Sequence, residues 1–208
     1  VNNMNNVNLN TNIEHPMICV LGRMGSGKTL FTTYLAKKFE EFCTLNDIDN
    51  KVFANYTLNL DLFEKVKIKD IVSFPEWLQN GILILDEIQS EGGDSYKFLS
   101  KISKHLTSFL TQVRKRNLAF VYTTQHIKLV NNRIRLLTSH VIQITNLSNG
   151  KVKLTFWDWV TKMVLGETVL DLTDCYDLYD TKELITQEEI ENQEKELEEF
   201  LRLNNKTE

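Results

Sequence analysis

Five residue types recur in this chain at spacings that do phosphate chemistry. A lysine and a threonine close a glycine-rich run, Gly22-Arg23-Met24-Gly25-Ser26-Gly27-Lys28-Thr29. Two adjacent carboxylates, Asp86 and Glu87, end the apolar run Ile82-Leu83-Ile84-Leu85. An amide, Gln125, ends a third apolar run, Leu118-Ala119-Phe120-Val121-Tyr122-Thr123-Thr124. The first segment fits G-x-x-x-x-G-K-[ST], in which backbone N–H groups wrap phosphate oxygens. Lys28 is then placed to reach the β- and γ-phosphates, and the Thr29 hydroxyl to ligate Mg²⁺. Asp86 can hold Mg²⁺ through its water shell. Glu87 can polarise an attacking water as a general base. Gln125 can bond the γ-phosphate or that water. These residues imply binding of ATP with Mg²⁺, followed by hydrolysis.

Such chemistry needs a strand, a loop and a helix in that order. Met17-Ile18-Cys19-Val20-Leu21 is a short apolar run, as expected of a strand buried on both faces. Leu30, Tyr34, Leu35, Phe39 and Phe42 then repeat at helical spacing. In an open α/β sheet, ligands sit beyond the carboxyl ends of the strands. All three chemical segments fall at such ends. The expected fold is α/β, with a mainly parallel central sheet flanked by helices.

Further elements read as follows. Alternation over Lys51–Leu60 predicts a strand, and Ser73–Leu78, with Pro75 near its start, a short helix. Val141–Thr145 and Lys151–Phe156 flank Asn146–Gly150, a β-hairpin. A helix is expected over 95–116, with Leu99, Ile102, Leu106, Phe109 and Val113 as its buried stripe. Lys97, Lys101, Lys104 and Lys115 fall on roughly the opposite side. No Asp or Glu occurs between Ser95 and Trp157, so this ridge suits a nucleic-acid backbone; a merely solvated face is the plainer alternative. Arg114 and Arg116 end the helix, and an arginine there can enter a neighbouring subunit's site, with Arg133 and Arg135 in reserve.

The 208 residues, 42% hydrophobic and 25% charged, suit one globular domain with short appendages. Residues 1–12 hold seven Asn and read as a flexible arm; 13–180 form the nucleotide-binding domain. Residues 181–208 carry nine Glu against four Lys/Arg, with Thr186 and Glu189 as a capping box for an acidic helix. Three widely spaced cysteines, Cys19, Cys43 and Cys175, indicate neither a disulfide framework nor a zinc site. No apolar run approaches the roughly 20 residues that span a bilayer. A reducing, cytoplasmic setting is expected.

The order Gly22–Thr29, then Ile82–Gln89, then Arg114-Lys115-Arg116-Asn117, then Phe120–Gln125 resembles the FtsK–HerA superfamily of DNA-pumping ATPases. Within it, the small size is most similar to the genome-packaging ATPases of icosahedral viruses with internal membranes, including archaeal turreted viruses. The similarity covers about residues 16–145. It implies a RecA-like P-loop NTPase of the ASCE class and a homo-oligomeric ring, commonly hexameric, around double-stranded DNA. It implies Asp86 with Mg²⁺, Glu87 as catalytic acid/base, Gln125 as γ-phosphate sensor and an arginine acting in trans. Capsid or membrane-vertex proteins would be further partners, met transiently at the capsid. Three other readings stand beside this one: an extrusion ATPase of filamentous-phage type acting on single-stranded DNA, a monomeric P-loop kinase, and a nucleotide-binding scaffold without turnover.

Overall fold

The computed structural model describes residues 16–73, 75–88 and 108–179, and beyond them Lys195 and Glu199. A single eight-stranded sheet runs through it in the order β3-β2-β4-β5-β1-β6-β7-β8. The strands are β1 (Met17–Leu21), β2 (Lys51–Ala54), β3 (Phe63–Lys65), β4 (Gly81–Leu85), β5 (Leu118–Thr124), β6 (His140–Ser148), β7 (Lys151–Asp158) and β8 (Met163–Asp171). From β3 to β6 every neighbouring pair is parallel. β7 and β8 extend the same sheet antiparallel. Helices α1 (Lys28–Leu45), α2 (Ile68–Ser73) and α3 (Asn132–Leu137) lie whole among the described residues.

The apolar runs of β1, β4 and β5 form the middle of the sheet because each is covered on both sides. Ile82 and Ile84 pack with Val20, Val121, Leu30 and Phe31 on the α1 side. Leu83 and Leu85 pack with Cys19, Phe120, Tyr122 and Ile134 on the other. A strand alternates its side chains at every residue, so a continuous apolar run fills two cores at once. β5 lies between β1 and β4, which sets the loop after β1 next to the ends of two other strands. All three cysteines are buried and free. Burial pushes the Cys19 thiol up to about 12, as suits a core side chain.

Several local expectations need correction. The strand over Lys51–Leu60 stops at Ala54, because the Asn55 side chain turns to bond the backbone of Asp86. Leu58 instead makes an isolated bridge to Tyr179. The helix expected over Ser73–Leu78 lies earlier, as α2, and Leu78 N–H closes a turn onto the Pro75 carbonyl at 3.2 Å. Proline has no N–H to continue a helix. The hairpin is confirmed, but it is part of the main sheet: β6 pairs with β1, and β8, which no pattern announced, pairs with β7. Of the helix expected over 95–116, residues 108–112 are helical and Val113–Arg116 forms a 3₁₀ turn, with Phe109 and Val113 buried as expected. Its earlier part, with Leu99, Ile102, Leu106 and the ridge Lys97, Lys101 and Lys104, lies outside the described residues, as do the 1–12 arm and the 186–189 capping box.

Leu83 is fully buried in β4 at the centre of the sheet. Leu83→Ala is expected to cost about 2–5 kcal/mol of stability. Val160→Ala, at an exposed position beyond β7, should stay within about 0.5 kcal/mol. Urea midpoints at unchanged m-value check both.

Candidate functional site

The loop after β1 folds as the motif requires. Gly27 has φ 90° and caps α1, and its carbonyl accepts the Phe31 N–H at 2.9 Å. That left-handed conformation strains any residue with a Cβ. At Gly22 the limit is space: a Cβ there would run into Ser26 Oγ and lie 3.0 Å from the Ile144 carbonyl. Gly22 N–H still bonds the Thr124 carbonyl at 3.3 Å, which ties the loop's base to β5. The eighteen residues of α1 put a long helix N-terminus at Lys28, where its partial positive charge favours anions.

Lys28 is only 5% exposed, and its ammonium donates to the Arg23 carbonyl at 3.3 Å. The lysine therefore points back across the loop. Ser26 Oγ is buried with no hydrogen-bond partner among the described residues, which is costly unless something else supplies one. An anion held by the loop would supply it. Arg23 and Met24 stand exposed at the rim. A cleft of about 510 Å³ opens between Gly22–Ser26, the segment from Gln125 to Ile127, and Gln143–Asn146. This is the crevice flanking the P-loop strand, where open α/β sheets bind ligands. Asn146 Nδ2 fastens the loop to β6 by donating to the Gly25 carbonyl at 3.2 Å.

The acids meet the loop directly. Thr29 Oγ1 donates to Asp86 Oδ2 at 2.8 Å, and Thr123 Oγ1 donates to Asp86 Oδ1 at 2.6 Å. Asn55 holds the main chain of the same residue: its Oδ1 accepts Asp86 N–H at 2.8 Å and its Nδ2 donates to the Asp86 carbonyl at 3.0 Å. Burial raises the Asp86 carboxyl above the usual range; the Thr123 and Thr29 hydroxyls oppose the rise, the Glu87 charge adds to it and Lys28 opposes it. Glu87 has φ 46° and turns its N–H onto Thr123 Oγ1 at 2.7 Å. Gln125 Nε2 donates to Glu87 Oε1 at 3.2 Å. Lys28, Thr29, Asp86, Glu87 and Gln125 thus gather at one edge of the sheet.

Thr29 and Asp86 fit a divalent metal. Both present oxygen, the donor that Mg²⁺ prefers. No group of three or more His, Cys, Asp or Glu is gathered among the described residues, so water and phosphate oxygens would complete the shell. The arginines lie elsewhere. Arg114 and Arg116 precede the start of β5, and Gln125 follows its end, so the seven-residue strand separates them by about 20 Å. Arg116 Nη1 donates to the Pro75 and Leu78 carbonyls at 2.7 and 3.1 Å, and its guanidinium lies over the Phe109 ring. Arg114 is exposed. Arg133 and Arg135 lie on α3, and the Arg135 carbonyl accepts the Trp159 indole N–H at 3.1 Å.

Asn55 and Thr123 are the site residues that motif reading passes over. Thr123 lies two residues before the glutamine that draws attention, yet only the register of β4 on β5, with Leu85 opposite Tyr122, sets its hydroxyl beside Asp86. Asn55 carries no signal of its own in the sequence.

The raised Asp86 carboxyl makes a prediction for metal-free protein. A folded-state value above the unfolded one gives stability at low pH that is lost as pH rises through that window. Asp86→Asn removes this loss. In EDTA its melting temperature minus that of wild type should rise as pH increases from about 4; a difference that falls instead contradicts the assignment.

The family model described as Zonular occludens toxin (Zot) matches residues 17–182. ORF2 proteins from two strains of Spiroplasma virus SpV1 are 24% identical over 183 residues, covering 81% of this chain and 50% of theirs. The chain therefore spans about half the length of the curated relatives it matches. The crystal structure of the N-terminal domain of zonular occludens toxin from Neisseria meningitidis superposes with a TM-score of 0.52 at 22% identity, covering 79% of this chain and 99% of that one. The DNA-packaging ATPase from Sulfolobus Turreted Icosahedral Virus gives 0.51 at 11% identity, covering 74% and 96%. These two likenesses show a shared P-loop NTPase fold. With a family model matched from the first strand to beyond the last, the chain belongs to the Zonular occludens toxin (Zot) family.

Proposed function

We propose that this chain is the ATPase domain of a viral motor that moves DNA. The observation that carries the reading is the 2.8 Å contact between Thr29 and Asp86, with Glu87 and Gln125 bonded to each other beside it. That arrangement suits ATP whose phosphates lie in the Gly22–Thr29 loop. Thr29 and Asp86 would hold Mg²⁺, which when bound offsets the charge of the phosphate oxygens. Lys28 would leave the Arg23 carbonyl for those oxygens. Glu87 would take the proton of the attacking water, and Gln125 would orient that water or report the γ-phosphate. The products are ADP and inorganic phosphate.

Coupling to DNA requires a ring in this reading, with six copies the expected number. Arg114 is the better candidate to act in trans, since Arg116 is engaged on the Pro75–Leu78 turn and Arg114 is exposed. Lys97, Lys101 and Lys104 would run along the phosphate backbone. Packaging of double-stranded DNA into a capsid is supported by the likeness to a protein described as a DNA-packaging ATPase. Extrusion of single-stranded DNA has one observation in its favour. The curated relatives are about twice as long as the matched region, which leaves room for a membrane segment beyond it. Among the described residues no helix is long and apolar enough to cross a membrane.

The test is ATP turnover with duplex DNA, with single strands and with neither, across a salt series. The packaging reading expects stimulation by duplex DNA that fades as salt rises. Stimulation by single strands alone selects extrusion; indifference to both at low salt defeats the motor reading. Glu87→Gln should lower kcat by about 10²- to 10⁴-fold. Arg114→Ala mixed into wild type should depress turnover more than its share of subunits if active sites are shared.

A further inference from the structure

The residue that joins the site together is one to which motif reading gives no role. Thr123 is fully buried at the end of β5. Its Oγ1 donates to Asp86 Oδ1 at 2.6 Å and accepts the Glu87 N–H at 2.7 Å. Its carbonyl accepts the Ile88 N–H at 3.2 Å. A hydroxyl carries one proton and two lone pairs, so a single side chain can serve a carboxylate and an amide at once. Those two bonds fix different things. The first orients the carboxylate that faces Thr29, leaving Oδ2 for that partner. The second holds Glu87 in a left-handed backbone conformation, uncommon for a residue with a side chain, which aims its carboxylate at Gln125.

We propose that Thr123 is the positioning residue for both acids: its hydroxyl sets the Asp86 carboxylate for the metal and the Glu87 backbone for proton abstraction. This rests on the ATPase reading above. Gln125 lies two residues further on, so the strand end that meets the γ-phosphate also sets the two carboxylates. Loss of the hydroxyl leaves an acceptor and a donor without this partner in a buried place, and each can then rotate.

The test compares wild type, Thr123→Val and Thr123→Ser in steady-state ATPase assays with Mg²⁺ titration, together with equilibrium binding of a fluorescent ADP analogue without metal and a thermal melt. Valine keeps the shape and removes both bonds; serine keeps the hydroxyl. Thr123→Val should lose about 10- to 100-fold in kcat or in Mg²⁺ affinity, the loss typical when a partner of a metal ligand is removed. Metal-free ADP binding should stay within about threefold, since the bonds removed are to Asp86 and Glu87 and not to the Gly22–Lys28 backbone. Thr123→Ser should restore most of the rate. Equal turnover by Thr123→Val and wild type overturns the positioning role and leaves the ATPase reading standing. So does a Thr123→Ser variant as slow as Thr123→Val while both melt like wild type. If Thr123→Val melts early, Thr123→Ser decides alone: wild-type turnover supports the role, and a valine-like rate at a normal melting temperature removes it. A wild type that never hydrolyses ATP removes both readings together.

Discussion

A buried carboxylate is the constraint around which this fold is arranged. Asp86 sits where burial disfavours its charge, and two neighbouring segments donate hydrogen bonds to its carboxylate: the start of α1 through Thr29 and the end of β5 through Thr123. The turn after β2 holds its main chain through Asn55. Burying an ionised group is tolerated only with such partners. The arrangement costs stability without a ligand. In the proposed function a bound cation would offset that cost, a common arrangement at functional sites. The buried Lys28, and the Ser26 hydroxyl that has no partner among the described residues, fit the same reading, in which polar groups would be ordered in advance of a ligand.

The sheet makes this possible by its strand order. With β5 between β1 and β4, the Gly22–Thr29 loop, the Asp86–Glu87 pair and Gln125 come from three adjacent strands and emerge at one edge. Backbone bonds at that edge fix the spacing further, as Gly22 to Thr124 and Ile88 to Thr123 show. Two cores, one on each face, clamp the middle strands, so the site stands on rigid elements.

Much of this was legible in the residues. Met17–Leu21, Ile82–Leu85 and Leu118–Thr124 are continuous apolar runs because both faces are covered, and such runs are hard to mistake when a glycine loop or acid pair ends them. What was not legible has particular causes. β8 carries exposed Met163, Val164, Leu165 and Val169, so no buried face imposes alternation on its sequence. β3 has three residues, too few for a pattern. The alternation after Ala54 continues to Leu60 although the chain has already turned at Asn55. The roles of Asn55 and Thr123 depend on which strand lies beside which, and in what register. Information of that kind belongs to pairs of segments far apart in the chain.

β5 has one more property that follows from its place. It is bonded on both sides, to β1 and to β4, and its ends carry different equipment: the arginine turn at one, the amide and the shared hydroxyl at the other. A fully extended segment has no slack, so it behaves as a stiff strut. A load applied along its axis at the arginine end would therefore be felt at the end that bears Thr123 and Gln125.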